Sequence, residues 1–123
     1  MKLSELFNHS GLGVMSTSSA NGSVNNAVYG RPHLIDETTL VWGMTDRGTY
    51  SNLAENPKAA YLFKLDGPGF CGVRLSLELM RTEEEGSLLA DIKKNTDSIV
   101  GSGAGDAVTH AVWFKVTHIR ALI

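Results

Sequence analysis

Apolar and polar positions alternate with a period of two along most of the chain, the signature of half-buried strands. The alternation is cleanest in FCGVRLSLELMRT (70–82), where Cys71, Val73, Leu75, Leu77 and Leu79 point one way and Arg74, Ser76 and Glu78 the other. KAAYLFKL (58–65) places Ala59, Tyr61, Phe63 and Leu65 on one face. GLGVMSTSS (11–19) leads through Asn21-Gly22, a strong hairpin signal, into SVNNAVYGRPHLI (23–35). Gly30 and Pro32 interrupt that second run, so it bends there or ends an edge. Asp36-Glu37-Thr38 turns the chain into TLVWGMT (39–45), and AVWFKVTHIRALI (111–123) reads as the last strand.

Three stretches change to helical spacing. Residues 2–10 put Leu3, Leu6 and Phe7 on one face, with Gly11 as the stop. Residues 49–55 bury Tyr50, Leu53 and Ala54 and cannot continue past Pro57. Thr82-Glu83-Glu84-Glu85 has the form of a capping box and predicts a helix to about Lys94 that buries Leu88, Leu89 and Ile92. The Gly-, Ser- and Asp-rich residues 95–109 read as irregular chain. The hairpin-length links predict an antiparallel sheet, and the helices are too few for a doubly wound fold. The expectation is a mainly β protein: one domain over residues 1–123, whose six strands close into a small barrel.

Composition narrows the partners more than the fold. The 123 residues are 42% hydrophobic and 20% charged, enough for one sizeable core. A net charge of −2 argues against duplex nucleic acid or an anionic membrane, which need a broad positive field. A small anion needs only one or two local cations. Cys71 is the single cysteine, so no internal disulfide or thiolate cluster forms, and its apolar neighbours suggest a packed thiol. The N-terminus is too short and polar for a signal peptide, and no apolar run reaches membrane-spanning length, so a cytoplasmic protein is expected.

Candidate chemistry gathers in WGMTDRGTYSNLAENPKAAYLF (42–63). Between a strand and a short helix, Arg47 offers a charged fork that matches phosphate oxygens. Thr45 and Thr49 supply hydroxyls, Gly48 lets the backbone come close, and the helix start presents unbonded N–H groups. Asp46 opposes this unless it turns away. From the local pattern alone, an ordinary capped strand-to-helix turn describes the same residues as well.

Elsewhere the signals are thin. Gly101, Gly103 and Gly105 lack the strand–turn–helix setting of a dinucleotide fingerprint and read as a flexible loop. His9, His33, His110 and His118 lack ligand spacing, so no metal site is expected. His110 and His118 share parity on the last strand, and nothing acidic or thiolate is expected to accompany them. No serine or cysteine has a nucleophile's setting, and no catalytic residue is assigned. Trp42 and Trp113 are assigned to the core or a dimer interface.

The N-terminal helix, the hairpin, TLVWGMTDRGTYSNLAENPKAAYLF, the GPGFCGVRL strand and the closing WFKVTHIRAL together resemble the FMN-binding split barrel of the pyridoxamine 5′-phosphate oxidase-like proteins. Small single-domain FMN-binding proteins look most similar. The resemblance covers essentially the whole chain and lies in the succession of segments rather than in one diagnostic motif. It implies a six-stranded split barrel, a homodimer and an FMN at each of two interfacial sites. Thr45, Arg47, Gly48 and Thr49 take the place of the phosphate-binding turn. Asn25, Asn26, Ala27, Val28 and Tyr29 match the strand edging the isoalloxazine ring, Met44 the strand end beneath it, and Pro68 and Gly69 a loop near the ring.

The implied activity is that of a flavoprotein oxidoreductase, with FMN passing hydride or electrons to a small-molecule or protein partner. Three alternatives stay open: an electron carrier without a substrate pocket, a flavin-free barrel acting as a binding module, and heme or a deazaflavin in place of FMN. Two departures matter. Gly48 follows Arg47 where many members carry an Arg-Lys pair, leaving Arg31 and Arg74 as candidates for a second cation. The C-terminal segment that binds substrate phosphate in full pyridoxamine 5′-phosphate oxidases has no counterpart after THIRALI, so that particular activity is not expected.

Overall fold

The computed structural model describes residues 2–123. In chain order it contains α1 (Leu3–Leu6), β1 (Gly11–Ser18), β2 (Val24–Val28), β3 (His33–Asp36), β4 (Thr39–Met44), α2 (Gly48–Glu55), β5 (Lys58–Leu65), β6 (Gly72–Glu83), α3 (Ser87–Val100), a 3-10 turn (Ala104–Ala107) and β7 (His110–Ala121). One mixed-order sheet runs β2-β1-β5-β6-β7-β4-β3, with every neighbouring pair antiparallel. The mainly β, antiparallel expectation holds.

The strand count is seven rather than six, and the sheet does not close. The cause lies at Gly30-Arg31-Pro32. The Gly30 carbonyl accepts from the Trp42 indole (2.8 Å) and the Tyr61 hydroxyl (3.0 Å), which draws the chain off β1. Pro32 then has no N–H to continue a ladder. The run expected as one strand becomes β2 and β3, which lie on opposite edges of the sheet.

The inner face carries the core. Met15, Leu40, Trp42, Met44, Tyr61, Phe63, Leu75 and Phe114 pack together, with Leu3, Leu6 and Phe7 of the N-terminal segment closing one side. Strand β4 is buried on both faces. Its Val41 turns outward to meet Leu89 of α3 with Val108 and Ala111. Gly43 permits this close approach: a Cβ there would stand 2.5 Å from Ile92 and 2.7 Å from Val108.

Several local expectations are corrected. Thr82 and Glu83 do not cap a helix; they extend β6, where Glu83 pairs with Ala111 of β7. The ladder satisfies more backbone groups than a cap would, and Gly86, at φ +109°, makes the turn into α3 instead. That helix continues past Lys94 to Val100, so residues 95–100 are helical. The loop beyond Val100 is tied back to the helix by Asp97, whose carboxylate accepts the Gly105 N–H at 2.6 Å. Cys71 is exposed rather than packed, because β6 begins only at Gly72, a residue with φ +153°. Ala54 faces solvent, leaving Leu53 as the buried anchor of α2 with Tyr50 half-buried.

Candidate functional site

The turn after β4 is placed by the pairing of β4 with β7, in which Met44 faces His110. Arg47 is extended (φ −129°, ψ −166°), and α2 starts immediately after it with no side-chain cap. Its first N–H groups therefore keep the open, partially positive character of a helix start. The Arg47 guanidinium makes no hydrogen bond or ion pair among the described residues. Gly48 is not in a glycine-only conformation, and a Cβ there would meet only the Asn25 amide at an ordinary 3.5 Å. The protein itself does not demand a glycine here, so the open space belongs to whatever approaches the turn.

Opposite the turn stands β2. Asn25, Ala27 and Tyr29 share the face turned toward it, and the Asn25 amide donates to the Thr49 hydroxyl at 3.2 Å. Burial raises the Tyr29 phenol above its usual pKa, offset in part by the Thr49 hydroxyl beside it, so the phenol stays neutral at physiological pH. Asn25, Ala27, Val28, Tyr29, Gly43, Thr45, Arg47, Gly48 and Thr49 together line a groove of about 390 Å³.

Eight residues singled out in the sequence thus converge: Asn25, Ala27, Val28, Tyr29, Thr45, Arg47, Gly48 and Thr49. Four others do not join them within this chain. Asn26 points to the other face of β2 and is exposed. The Met44 side chain is buried in the core. Pro68 and Gly69 lie in the β5–β6 loop, whose Asp66 is tied to Ser10 at the start of β1. Asn25 pairs with Thr17 near the other end of β1, roughly 20 Å away at about 3.3 Å per residue. The second-cation candidates are also elsewhere. Arg31 donates to the Phe7 and His9 carbonyls, each at 3.2 Å, and Arg74 to that of Ala121.

Behind the turn is a cluster that the sequence reading missed. His110 is buried and bonds through Nε2 to Asp46 at 2.5 Å and through Nδ1 to Glu84 at 3.1 Å. Its ring stacks on Tyr50 of α2, with centroids 3.8 Å apart and planes 8° from parallel. Burial on its own would lower the His110 pKa, but hydrogen bonds and charges from Asp46 and Glu84 outweigh it and raise the pKa above the usual histidine value. The expectation that nothing acidic accompanies His110 is therefore overturned. No local signal pointed to these partners, which lie 64 and 26 residues away in sequence. His118, across a bulge in β7, is exposed and does not share this environment.

A guanidinium, hydroxyls and open helix N–H groups at one end, with amide and phenol groups along the adjoining strand, form a donor set for a phosphate carried by a polar-edged ring. FMN is such a molecule, and these residues fit it.

No protein-family model and no curated protein matches the chain. Solved structures do. An FMN-binding protein from Syntrophomonas wolfei subsp. wolfei superposes with a TM-score of 0.85 and 25% identity, covering 99% of this chain and 84% of that one. A candidate pyridoxamine 5′-phosphate oxidase from Listeria innocua gives 0.73 and 20%, over 98% and 95%. This is the split-barrel fold of the pyridoxamine 5′-phosphate oxidase-like proteins. The split barrel is not tied to one ligand: HutZ, the heme storage protein of Vibrio cholerae, matches at 0.68 with 12% identity, over 98% of this chain and 95% of that one.

Proposed function

We propose that the chain is an FMN-binding flavoprotein, with the phosphate at Thr45, Arg47, Gly48 and Thr49 and the ring along Asn25, Ala27, Val28 and Tyr29. The observation that carries this reading is that Arg47, at the uncapped start of α2, lines one groove with Thr45, Gly48 and Thr49 and with Asn25 and Ala27 of β2. The flavin-binding relative that covers nearly the whole chain adds support.

When bound, FMN supplies hydride or single-electron transfer, so oxidoreductase activity is the class we assign. The groove side chains bind and orient rather than exchange protons: they are amides, hydroxyls, a guanidinium and a phenol kept neutral by burial. With no acid–base group among them, the same geometry also suits an electron carrier. We assign the chain as one split-barrel domain that works as a homodimer. Asn26, Pro68 and Gly69 belong to the flavin site only in that assembly, the loop residues reaching the ring of the partner, whereas Met44, buried in the core, supports the strand end from within rather than touching the ring. Among the described residues no helix is long and apolar enough to cross a membrane, and a cytoplasmic location is part of the same proposal.

The test is flavin absorbance of purified protein after FMN is added and free ligand removed, paired with affinities for FMN and riboflavin. Arg47→Ala should weaken FMN by about 2–4 kcal/mol if it makes a desolvated, charge-assisted pair, while riboflavin binding changes little. An unchanged FMN-to-riboflavin ratio would remove Arg47 from the phosphate site. Protein that stays colourless would remove the flavin altogether.

A further inference from the structure

We propose that His110 is a positioning residue for the anion site: it holds the Asp46 carboxylate away from Arg47 and the start of α2, so that a phosphate dianion meets a positive turn. The inference rests on the phosphate reading above and concerns what keeps the turn positive. Asp46 lies between two groove-lining residues, Thr45 and Arg47, yet does not line the groove itself. Its side chain is 70% exposed, so packing does not force it backward. Among the described residues, two hydrogen bonds hold it there: one from the His110 ring and one from the Thr109 hydroxyl, which donates to its other oxygen at 3.4 Å.

The ring is itself fixed from several sides. The β4–β7 register sets its height, and Tyr50 stacks on its face. The charged groups facing it are Asp46 from the turn and Glu84 from the β6–α3 connection; Tyr50 and Thr109 are neutral. Two carboxylates on two ring nitrogens need two N–H donors, which only the imidazolium has. A neutral ring leaves one carboxylate facing a lone pair. Asp46, the more exposed of the two (70% against 56%), is the one free to leave. A released carboxylate next to Arg47 then competes with phosphate for the guanidinium and the helix N–H groups.

The test compares FMN with riboflavin by fluorescence titration between pH 7 and 9, where a phosphate monoester is dianionic. The proteins are wild type, H110Q, D46N and H110Q/D46N. In wild type, the preference for FMN should fall about fivefold as the ring loses its proton. H110Q should show the low preference throughout. D46N and the double variant should keep the high preference with no pH dependence, and the His110 proton NMR titration should share its midpoint with the wild-type binding curve.

The proposal is overturned if H110Q keeps the wild-type preference, or if the double variant is as weak as H110Q, which is the behaviour of a purely structural histidine. If H110Q does not fold, D46N decides alone: a D46N protein that still loses preference with rising pH overturns the proposal. Wild-type protein with no preference for FMN overturns the phosphate site and this inference together. A preference that ignores both substitutions overturns the inference only.

Discussion

Tyr61→Phe removes one oxygen from the point where the sheet is split. Tyr61 is 1% exposed, and its hydroxyl lies 3.0 Å from the carbonyl oxygens of both Tyr29 and Gly30. Phenylalanine preserves the ring and its contacts with Trp42 and Phe7. Gly30 keeps the Trp42 indole as a donor, whereas Tyr29 loses its donor in a part-buried position. One such lost bond costs about 1–2 kcal/mol. With an unfolding entropy of roughly 2.1 cal/mol/K per residue over this chain of 123, that corresponds to a Tm lower by about 4–8 °C.

The same hydroxyl predicts a pH signature. Burial is the largest influence on the Tyr61 phenol and holds its pKa well above the usual tyrosine range, despite small opposing effects from Trp42 and Arg31. A group raised in the folded state contributes its stability below the unfolded pKa, about 10, and loses it as pH climbs beyond that. The Tm gap between wild type and Tyr61→Phe should therefore be full at pH 7–9 and shrink above pH 10. Differential scanning calorimetry at pH 7, 9 and 10.5 measures both arms. A gap under about 1 °C at pH 7, or one that stays constant to pH 10.5, refutes the reasoning.

Two glycines make opposite predictions. Gly43→Ala forces a methyl against Ile92 and Val108 and should destabilise the fold by about 1–3 kcal/mol in urea unfolding, because α3 must move off β4. Gly48→Ala meets only open space and Asn25, so stability should hold or rise by up to about 1 kcal/mol, while FMN affinity falls by at least about threefold. A Gly48→Ala protein that binds FMN as tightly as wild type would mean that no ligand approaches the backbone there.

Local information carried much of this fold into view. The alternation in 58–65 and 70–82 identified the central strands and their buried sides, because a period of two admits only one inward face. Asn21-Gly22 marked its hairpin, and Gly22 indeed sits at φ +89°. The composition of the candidate anion turn was legible because Thr45, Arg47, Gly48 and Thr49 lie within five consecutive residues, and a turn gathers its neighbours wherever the chain goes. The errors came where distant partners outbid a local pattern. Thr82 through Glu85 have the spacing of a cap, but pairing with Ala111 kept Thr82 and Glu83 in a strand and left Glu84 to reach His110. One expected strand became two because Trp42 and Tyr61 drew the Gly30 carbonyl inward.

What this sequence determined by itself was therefore the set of elements, the inward face of each strand and the composition of the candidate anion turn, all properties written within about ten residues. Tertiary structure decided which strands became edges, that the sheet stayed open, which strand faced the turn, and where Asp46 was sent. Those depend on pairings such as Met44 with His110, set by the burial of whole faces. A carboxylate that reads as an obstacle beside Arg47 becomes a ligand of His110 only after β4 and β7 lie side by side.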